Sequence, residues 1–165
     1  MTVKDKFTPE EWFKVMNGPG RAGVAVMASS PSGITGFLAE ANALANELQT
    51  LIRSHPSTPL LADMADAYQH TTREELKEQR DAAGENVSRD VRETKDQALE
   101  SVRQAVWLVS TKTTAEDTRA YKDLLMRVAQ RVAEAATEGG FLGIGGVRVS
   151  DAEQAVLDEL RQMLQ

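Results

Sequence analysis

The sequence contains no cysteine, few aromatic residues and no long apolar run. Without thiols the chain can form neither a disulfide framework nor a thiolate metal site, and it lacks a cysteine nucleophile. Aromatic residues make up 5% of the chain, so its core is expected to consist mainly of Leu, Val, Ala and Met. No apolar stretch approaches the roughly 20 residues that a membrane-spanning helix requires. We therefore expect a chain that does not cross a bilayer and whose only sulfur redox chemistry is methionine oxidation.

Basic character is lacking as well. The 25 Asp and Glu residues outnumber the 19 Lys and Arg residues, which gives a formal net charge of −6 at pH 7. A negative chain without a basic cluster is not attracted to nucleic-acid backbones or anionic lipid, so nucleic acid is not an expected partner. The first residues show no apolar segment of a signal peptide, which predicts a cytoplasmic protein. The 165 residues, 41% of them hydrophobic, are typical of one globular domain spanning residues 1–165.

Helix-start signals recur along the chain, whereas strand patterns are nearly absent. The commonest signal is a Thr or Ser followed three residues later by Glu, the pattern of a capping box, in which the two side chains bind each other's backbone N–H groups. Capping boxes are predicted for Thr8 with Glu11, Thr72 with Glu75, Thr113 with Glu116, and Ser150 with Glu153. A further helix is predicted to start where Thr58 precedes Pro59. These signals predict an all-α protein.

The first predicted helix begins after Phe7, which is placed to pack against Trp12. Residues 17–20 read Asn-Gly-Pro-Gly, and this combination predicts that the helix ends there. A second short helix is then predicted over about residues 21–29. Both helices are short enough to serve as caps on the end of a bundle.

From Ile34 onwards, apolar residues recur in steps of three and four up to Ile52, which predicts a helix with one buried face. We expect this helix to be the central one of the core. His55 and Pro56 end it, because the residue before a proline disfavours the helical conformation.

Residues 73–110 form the most unusual segment, because Gly84 is the only interruption before a stop signal at residues 111–113. A continuous helix of this length would measure roughly 57 Å. Its apolar stripe follows steps of four, four and three residues, an 11-residue repeat that predicts a straight or slightly right-handed stripe. The stripe comprises Leu76, Arg80, Ala83, Val87, Val91, Thr94, Ala98, Val102, Ala105 and Val109.

The two halves of this predicted helix differ in character. Residues 73–97 are densely charged, which predicts a projecting or partner-facing arm whose interaction residues are Leu76, Val87 and Val91. After Ala98 the stripe is broadened by apolar residues, which predicts a core segment. These residues are Leu99, Val106, Trp107 and Leu108.

The segments together predict an up-and-down helical bundle with one long charged helix and short capping helices. Its members are the helix from residue 34, residues 98–110, a helix over residues 114–138 and the C-terminal helix. Gly139 and Gly140 end the third of these.

Two segments resemble a group of small uncharacterised bacterial helical proteins. One runs from Glu-Trp at residues 11–12 to Ala-Ser-Ser-Pro-Ser-Gly at residues 28–33, and the other from Glu-Gly-Gly-Phe-Leu-Gly at residues 138–143 to Val-Ser-Asp-Ala-Glu at residues 149–153. That group has no assigned activity, so the resemblance implies a helical fold without implying any chemistry or site residue. The C-terminal pattern is also similar to the TerB-like helical domains of tellurite resistance.

A glycine-rich loop is the first candidate site. It contains Gly140, Phe141, Gly143, Gly145 and Gly146, and backbone N–H groups beside a helix start can hold an anion. The spacing matches neither a dinucleotide fingerprint nor a phosphate-binding P-loop. The favoured interpretation is therefore a connector whose apolar side chains enter the core.

Acidic residues and histidines offer weaker candidates. Asp63, Asp66 and His70 share one helix face and could bind a metal, although a solvated histidine near a helix end is favoured. Glu40 and Glu47 are spaced to form an acid/base pair, but solvated positions beside the stripe are favoured. No convincing catalytic set emerges, so neither enzyme activity, nor a metal, nor a cofactor is expected.

The favoured function is a non-enzymatic interaction or assembly module whose partner is a second copy, as a homodimer, or another protein. One alternative is reversible binding at a membrane surface, because 11-residue amphipathic repeats also occur in lipid-associated helices. Another is a bundle enclosing a small apolar ligand, which would be favoured by a void lined by Phe37, Trp107 and Tyr121.

Overall fold

The structure, a computed structural model, describes residues 1–29, 43–44, 46–50, 53–54, 56, 58–72, 74–75, 91–138 and 149–165. The chain is all-helical, as predicted, and its helices pack into a bundle. A short 3₁₀ helix, Lys4–Lys6, precedes the α-helices. In the described part these are α1 (Pro9–Met27), α2 (Pro59–His70), α3 (Val91–Lys112), α4 (Ala115–Glu138) and α5 (Asp151–Met163). Residues 43–44 and 46–50 are also helical.

Helix α1 lies at the centre of the bundle. It packs most extensively against α3, then against α4, and it also touches α5. The prediction of two short capping helices separated at residues 17–20 is therefore wrong, because α1 is one helix of 19 residues with Pro19 inside it. The central position was predicted for the helix from residue 34, most of which lies outside the described residues. In that helix Leu44 packs against the core.

Two tyrosines explain how α1 continues past its proline. Pro19 has no N–H, so the Val15 carbonyl four residues earlier loses its helical donor. The Tyr121 hydroxyl of α4 donates to this carbonyl at 2.7 Å, and the Tyr68 hydroxyl of α2 donates to the next one, Met16. Burial raises the pKa of both hydroxyls well above its ordinary value, which keeps them protonated as donors. Tyr121 thus supplies the hydrogen bond that the proline removes, and Tyr68 adds a second donor at the neighbouring carbonyl.

Gly18 makes room for one of these tyrosines. A Cβ atom at this position would overlap the Tyr121 hydroxyl. The glycine before Pro19 therefore admits a side chain from α4 to the backbone of α1 and does not stop the helix.

Most predicted helix starts are confirmed. The capping boxes of Thr8 with Glu11 and of Ser150 with Glu153 are both complete. The Phe7 and Trp12 rings lie 5.7 Å apart. Thr72 and Glu75 form the two hydrogen bonds of the predicted capping box. Thr58 is the N-cap of α2, as predicted.

The predicted start of α4 is wrong by one residue. The N-cap is Thr114, whose hydroxyl accepts a hydrogen bond from the Asp117 backbone N–H at 3.1 Å, and Glu116 stays exposed. Asp117 is buried, and its Oδ1 also accepts the Leu60 backbone N–H at 2.9 Å. Because Leu60 lies in the first turn of α2, one carboxylate serves the starts of two helices. This tertiary contact joins the start of α4 to the start of α2.

The core half of the long charged segment is confirmed. Helix α3 ends at Lys112, and its inward positions Ala98, Val102, Ala105 and Val109 are fully buried. The Lys112 ammonium binds Glu11 at the start of α1. The continuity of the predicted helix through Gly84 falls outside the described residues, as do residues 73 and 76–90 of the predicted arm.

Candidate functional site

The glycine-rich loop and part of the predicted arm cannot be compared with the structure. Gly140, Phe141, Gly143, Gly145 and Gly146 lie outside the described residues. Among the predicted interaction residues, Leu76 and Val87 also lie outside them, and Val91 is the first residue of α3. Their proposed roles stay predictions from the sequence.

The three metal-ligand candidates on α2 each have a partner within the protein. The Asp63 Oδ2 atom accepts the Lys4 backbone N–H at 2.9 Å and so holds the 3₁₀ helix against α2. The Asp66 Oδ1 atom lies 3.2 Å from His70 Nδ1, and both side chains are exposed. Within the described ranges, no three His, Asp or Glu side chains are grouped closely enough to hold a metal ion.

We expect a chelator such as EDTA to leave the melting temperature unchanged. The described contacts of Asp63, Asp66 and His70 are complete without a cation, so metal removal should cost no folding energy. Circular dichroism melts with and without EDTA measure this. A lowered melting temperature that one divalent metal restores would contradict the prediction and return attention to these three residues.

Glu47 occupies a structural position. Its carboxylate lies 3.4 Å from the Arg127 Nε atom and 3.6 Å from the Arg131 Nε atom, both on α4. Its side chain is only 15% exposed. These two ion pairs attach the helix that carries Glu47 to α4. Glu40, its predicted partner, lies outside the described residues.

The outer side of α3 carries an exposed tryptophan that was predicted from the sequence to lie in the core. Trp107 is 62% exposed, and that placement is wrong. Two residues correspond to about 200° around a helix, so position 107 points away from its buried neighbours Ala105 and Val109. The spacing could have revealed this, but the apolar residues around Trp107 obscured it.

We use the name Trp107 face for the exposed residues that surround this side chain on α3. These residues are Glu100, Arg103, Gln104, Trp107, Ser110 and Thr111. By contrast, Tyr121 is fully buried. Trp107 and Tyr121 therefore do not line a common void, and Phe37, the third residue of the predicted ligand cavity, lies outside the described residues.

A groove of about 620 Å³ lies where the 3₁₀ helix, the start of α1 and the end of α2 meet. We call it the N-terminal groove. Its apolar lining includes Phe7, Trp12, Met16 and Tyr68, and its ionisable lining is Lys4, Asp5, Asp66, His70 and Glu75. Sequence reasoning missed this groove because it is assembled from two segments about 50 residues apart.

The charged side of the N-terminal groove is negative. Hydrogen bonds from the Thr2 backbone and hydroxyl lower the pKa of Asp5, and the Thr72 backbone N–H does the same for Glu75. The nearby Lys4 ammonium adds to both effects. Both carboxyl groups are therefore ionised at neutral pH. Together with Asp66, the groove has three carboxylates and one lysine ammonium.

In the part of the chain that the structure describes, no helix is long and apolar enough to span a membrane. No protein-family model matches the chain, and no curated protein or solved structure shows significant similarity to it. The resemblance to small bacterial helical proteins stays a prediction from the sequence.

Proposed function

We propose that this protein is a non-enzymatic assembly module that pairs with a second copy of itself through the Trp107 face. The observation that supports this proposal is the exposure of Trp107 on a helix whose opposite side is core. Tryptophan is enriched among the residues that dominate protein interfaces, because one side chain can remove a large apolar area from water. Among the described residues, the other large hydrophobic residue this exposed is Met1.

The charges on the Trp107 face favour a second copy as the partner. The whole chain carries a net charge of −6, so two copies repel each other over most of their surfaces. On the Trp107 face, Glu100 and Arg103 form an ion pair, which leaves this surface without net charge. Charge repulsion between two such faces is therefore weak.

The same face is also complementary to itself in an antiparallel arrangement. A twofold axis beside position 105 places Arg103 of each copy opposite Trp107 of the other, since both residues lie two positions from the axis. A guanidinium over an indole ring is the strongest of the common cation–π pairs. Such a pairing would form twice in the symmetric dimer. Each contact would be helix against helix.

A single pair of helices buries less than the roughly 800 Å² per partner of a standard stable interface. The dimer is therefore expected to be weak and to depend on protein concentration. Association should increase as the protein is concentrated.

We expect Trp107→Ala to abolish this concentration-dependent dimer. The change removes the largest apolar side chain of the interface, while the fold loses little because the side chain is mostly exposed. Sedimentation velocity over a concentration series measures the change. The matched control is Gln130→Ala, an exposed position on α4 that should dimerise like the wild type.

Thermal melts of both alanine variants separate assembly from folding, and they should agree within a few degrees. A wild-type protein that stays monomeric at the highest soluble concentration would contradict the proposal. So would a Trp107→Ala variant that dimerises as strongly as Gln130→Ala.

A further inference from the structure

We infer that the N-terminal groove binds a small organic cation that carries a carbonyl group, with arginine amide as the simplest representative. This site is separate from the Trp107 face and does not depend on assembly. The inference rests on the size of the groove, its aromatic floor, its carboxylates and one indole N–H group.

The groove is large enough for such a ligand. Its volume of about 620 Å³ falls in the range of roughly 300–1,000 Å³ that is typical of small-molecule sites. Phe7, Trp12 and Tyr68 supply aromatic surface against which an aliphatic stem or a guanidinium plane can pack. Phe7 already holds a cation, because the Lys112 ammonium lies 5.8 Å from its ring centre. Trp12 and Tyr68 are the rings left to the ligand.

The carboxylates retain capacity to bind a cation. Asp5 uses Oδ2 for both bonds from Thr2, and Glu75 uses Oε2 for the bond from the Thr72 backbone. The other oxygen of each has no hydrogen-bond partner among the described residues. Lys4 offsets one of the three charges, so the groove still favours a positive ligand. A guanidinium can bind two carboxylate oxygens at once, which makes an arginine-like group a better match than a simple ammonium.

The indole N–H of Trp12 favours a ligand that carries a hydrogen-bond acceptor. The residue is only 6% exposed, yet its indole N–H donates to no acceptor in the described part of the chain. The indole N–H is not completely enclosed by the described residues, so it retains access to solvent. Trp12 is one of the residues that line the groove. Buried indole N–H groups usually have a partner, and a ligand carbonyl can supply one.

Indole N–H signals in a ¹H–¹⁵N correlation spectrum test the inference directly. The chain has two tryptophans, so two indole signals are expected, and the Trp107→Ala variant identifies the one from Trp12. The probe is N-acetyl-arginine amide, and the matched control is N-acetyl-citrulline amide, which has nearly the same shape without the charge. At about 10 mM, tenfold above a Kd of about 1 mM, the arginine compound should shift the Trp12 signal. The Trp107 signal should stay in place.

Charge variants complete the test. The double variant Asp66→Asn with Glu75→Gln should raise the Kd for the arginine compound about fivefold, because exposed charge pairs contribute modestly. Glu159→Gln, an exposed position on α5, is the control and should bind like the wild type. An unmoved Trp12 signal, an equal shift with the citrulline compound, or unchanged binding by the double variant would each overturn the inference. Binding that persists in Trp107→Ala shows that the groove functions even where assembly has failed.

Discussion

Replacing Gly18 with alanine is expected to lower the free energy of unfolding by about 3–5 kcal/mol. The new Cβ atom would overlap the Tyr121 hydroxyl and would also lie 3.1 Å from its Cζ atom and 3.3 Å from the Ala105 Cβ. Tyr121 is fully buried, so its ring cannot move aside without disturbing the core. Any movement would also break its hydrogen bond to the Val15 carbonyl. Urea denaturation monitored by circular dichroism measures the loss.

Gly20 provides the matched control on the other side of the proline. No described atom lies within 4 Å of a Cβ placed there. Alanine is favoured over glycine inside a helix by up to about 1 kcal/mol, so Gly20→Ala should leave the protein unchanged or slightly more stable. The two glycines that flank Pro19 should thus respond differently to the same substitution. Equal stabilities for the two variants would show that Tyr121 does not require the space at Gly18.

The Tyr121→Phe variant is expected to lose about 1–3 kcal/mol, because the buried Val15 carbonyl then has no donor. The size of this loss in unfolding free energy should depend on Pro19. In a Pro19→Ala background the alanine N–H can donate to Val15 in the ordinary helical pattern, so removing the hydroxyl should cost much less. A double-mutant cycle from urea denaturation of the four proteins gives the coupling energy between Pro19 and Tyr121.

Tyr68→Phe is the control for this cycle. Tyr68 donates to Met16, whose helical partner would be the N–H of Gly20 and not that of residue 19. Pro19→Ala should therefore rescue Tyr121→Phe without rescuing Tyr68→Phe. A Tyr121→Phe loss that is the same in the wild-type and in the Pro19→Ala background would contradict the role of Tyr121 as the replacement donor.

Features that depend on neighbours along the chain were predictable from the sequence. The capping boxes at Thr8 and Ser150 need only a partner three residues away, and both formed as predicted. The buried stripe of α3 followed its spacing from Ala98 to Val109 because a regular helix fixes which side chains share a face.

Features that depend on distant residues were not predictable in this way. Residues 17–20 have the pattern of a helix stop, and the donor that overrides it is Tyr121, 106 residues from Val15. At the start of α4, Asp117 also accepts the backbone N–H of Leu60, 57 residues away. The 3₁₀ helix that lines the N-terminal groove is held against α2 by a bond from Lys4 to Asp63, 59 residues away. Patterns of neighbouring residues cannot predict these contacts, because they form only when distant segments meet in the folded chain.

The central position of α1 means that it is synthesised well before the helices that bury most of its surface. Its main packing partners, α3 and α4, begin more than 80 residues after it starts. Until they emerge, α1 can contact Phe7, Leu44 and Tyr68, but the Val15 carbonyl that its proline leaves without a helical donor lacks its partner on α4. A nascent chain that has produced only its first half therefore has its future core helix accessible to chaperones and to other nascent chains. The core around α1 is expected to be completed only after α4 has left the ribosome.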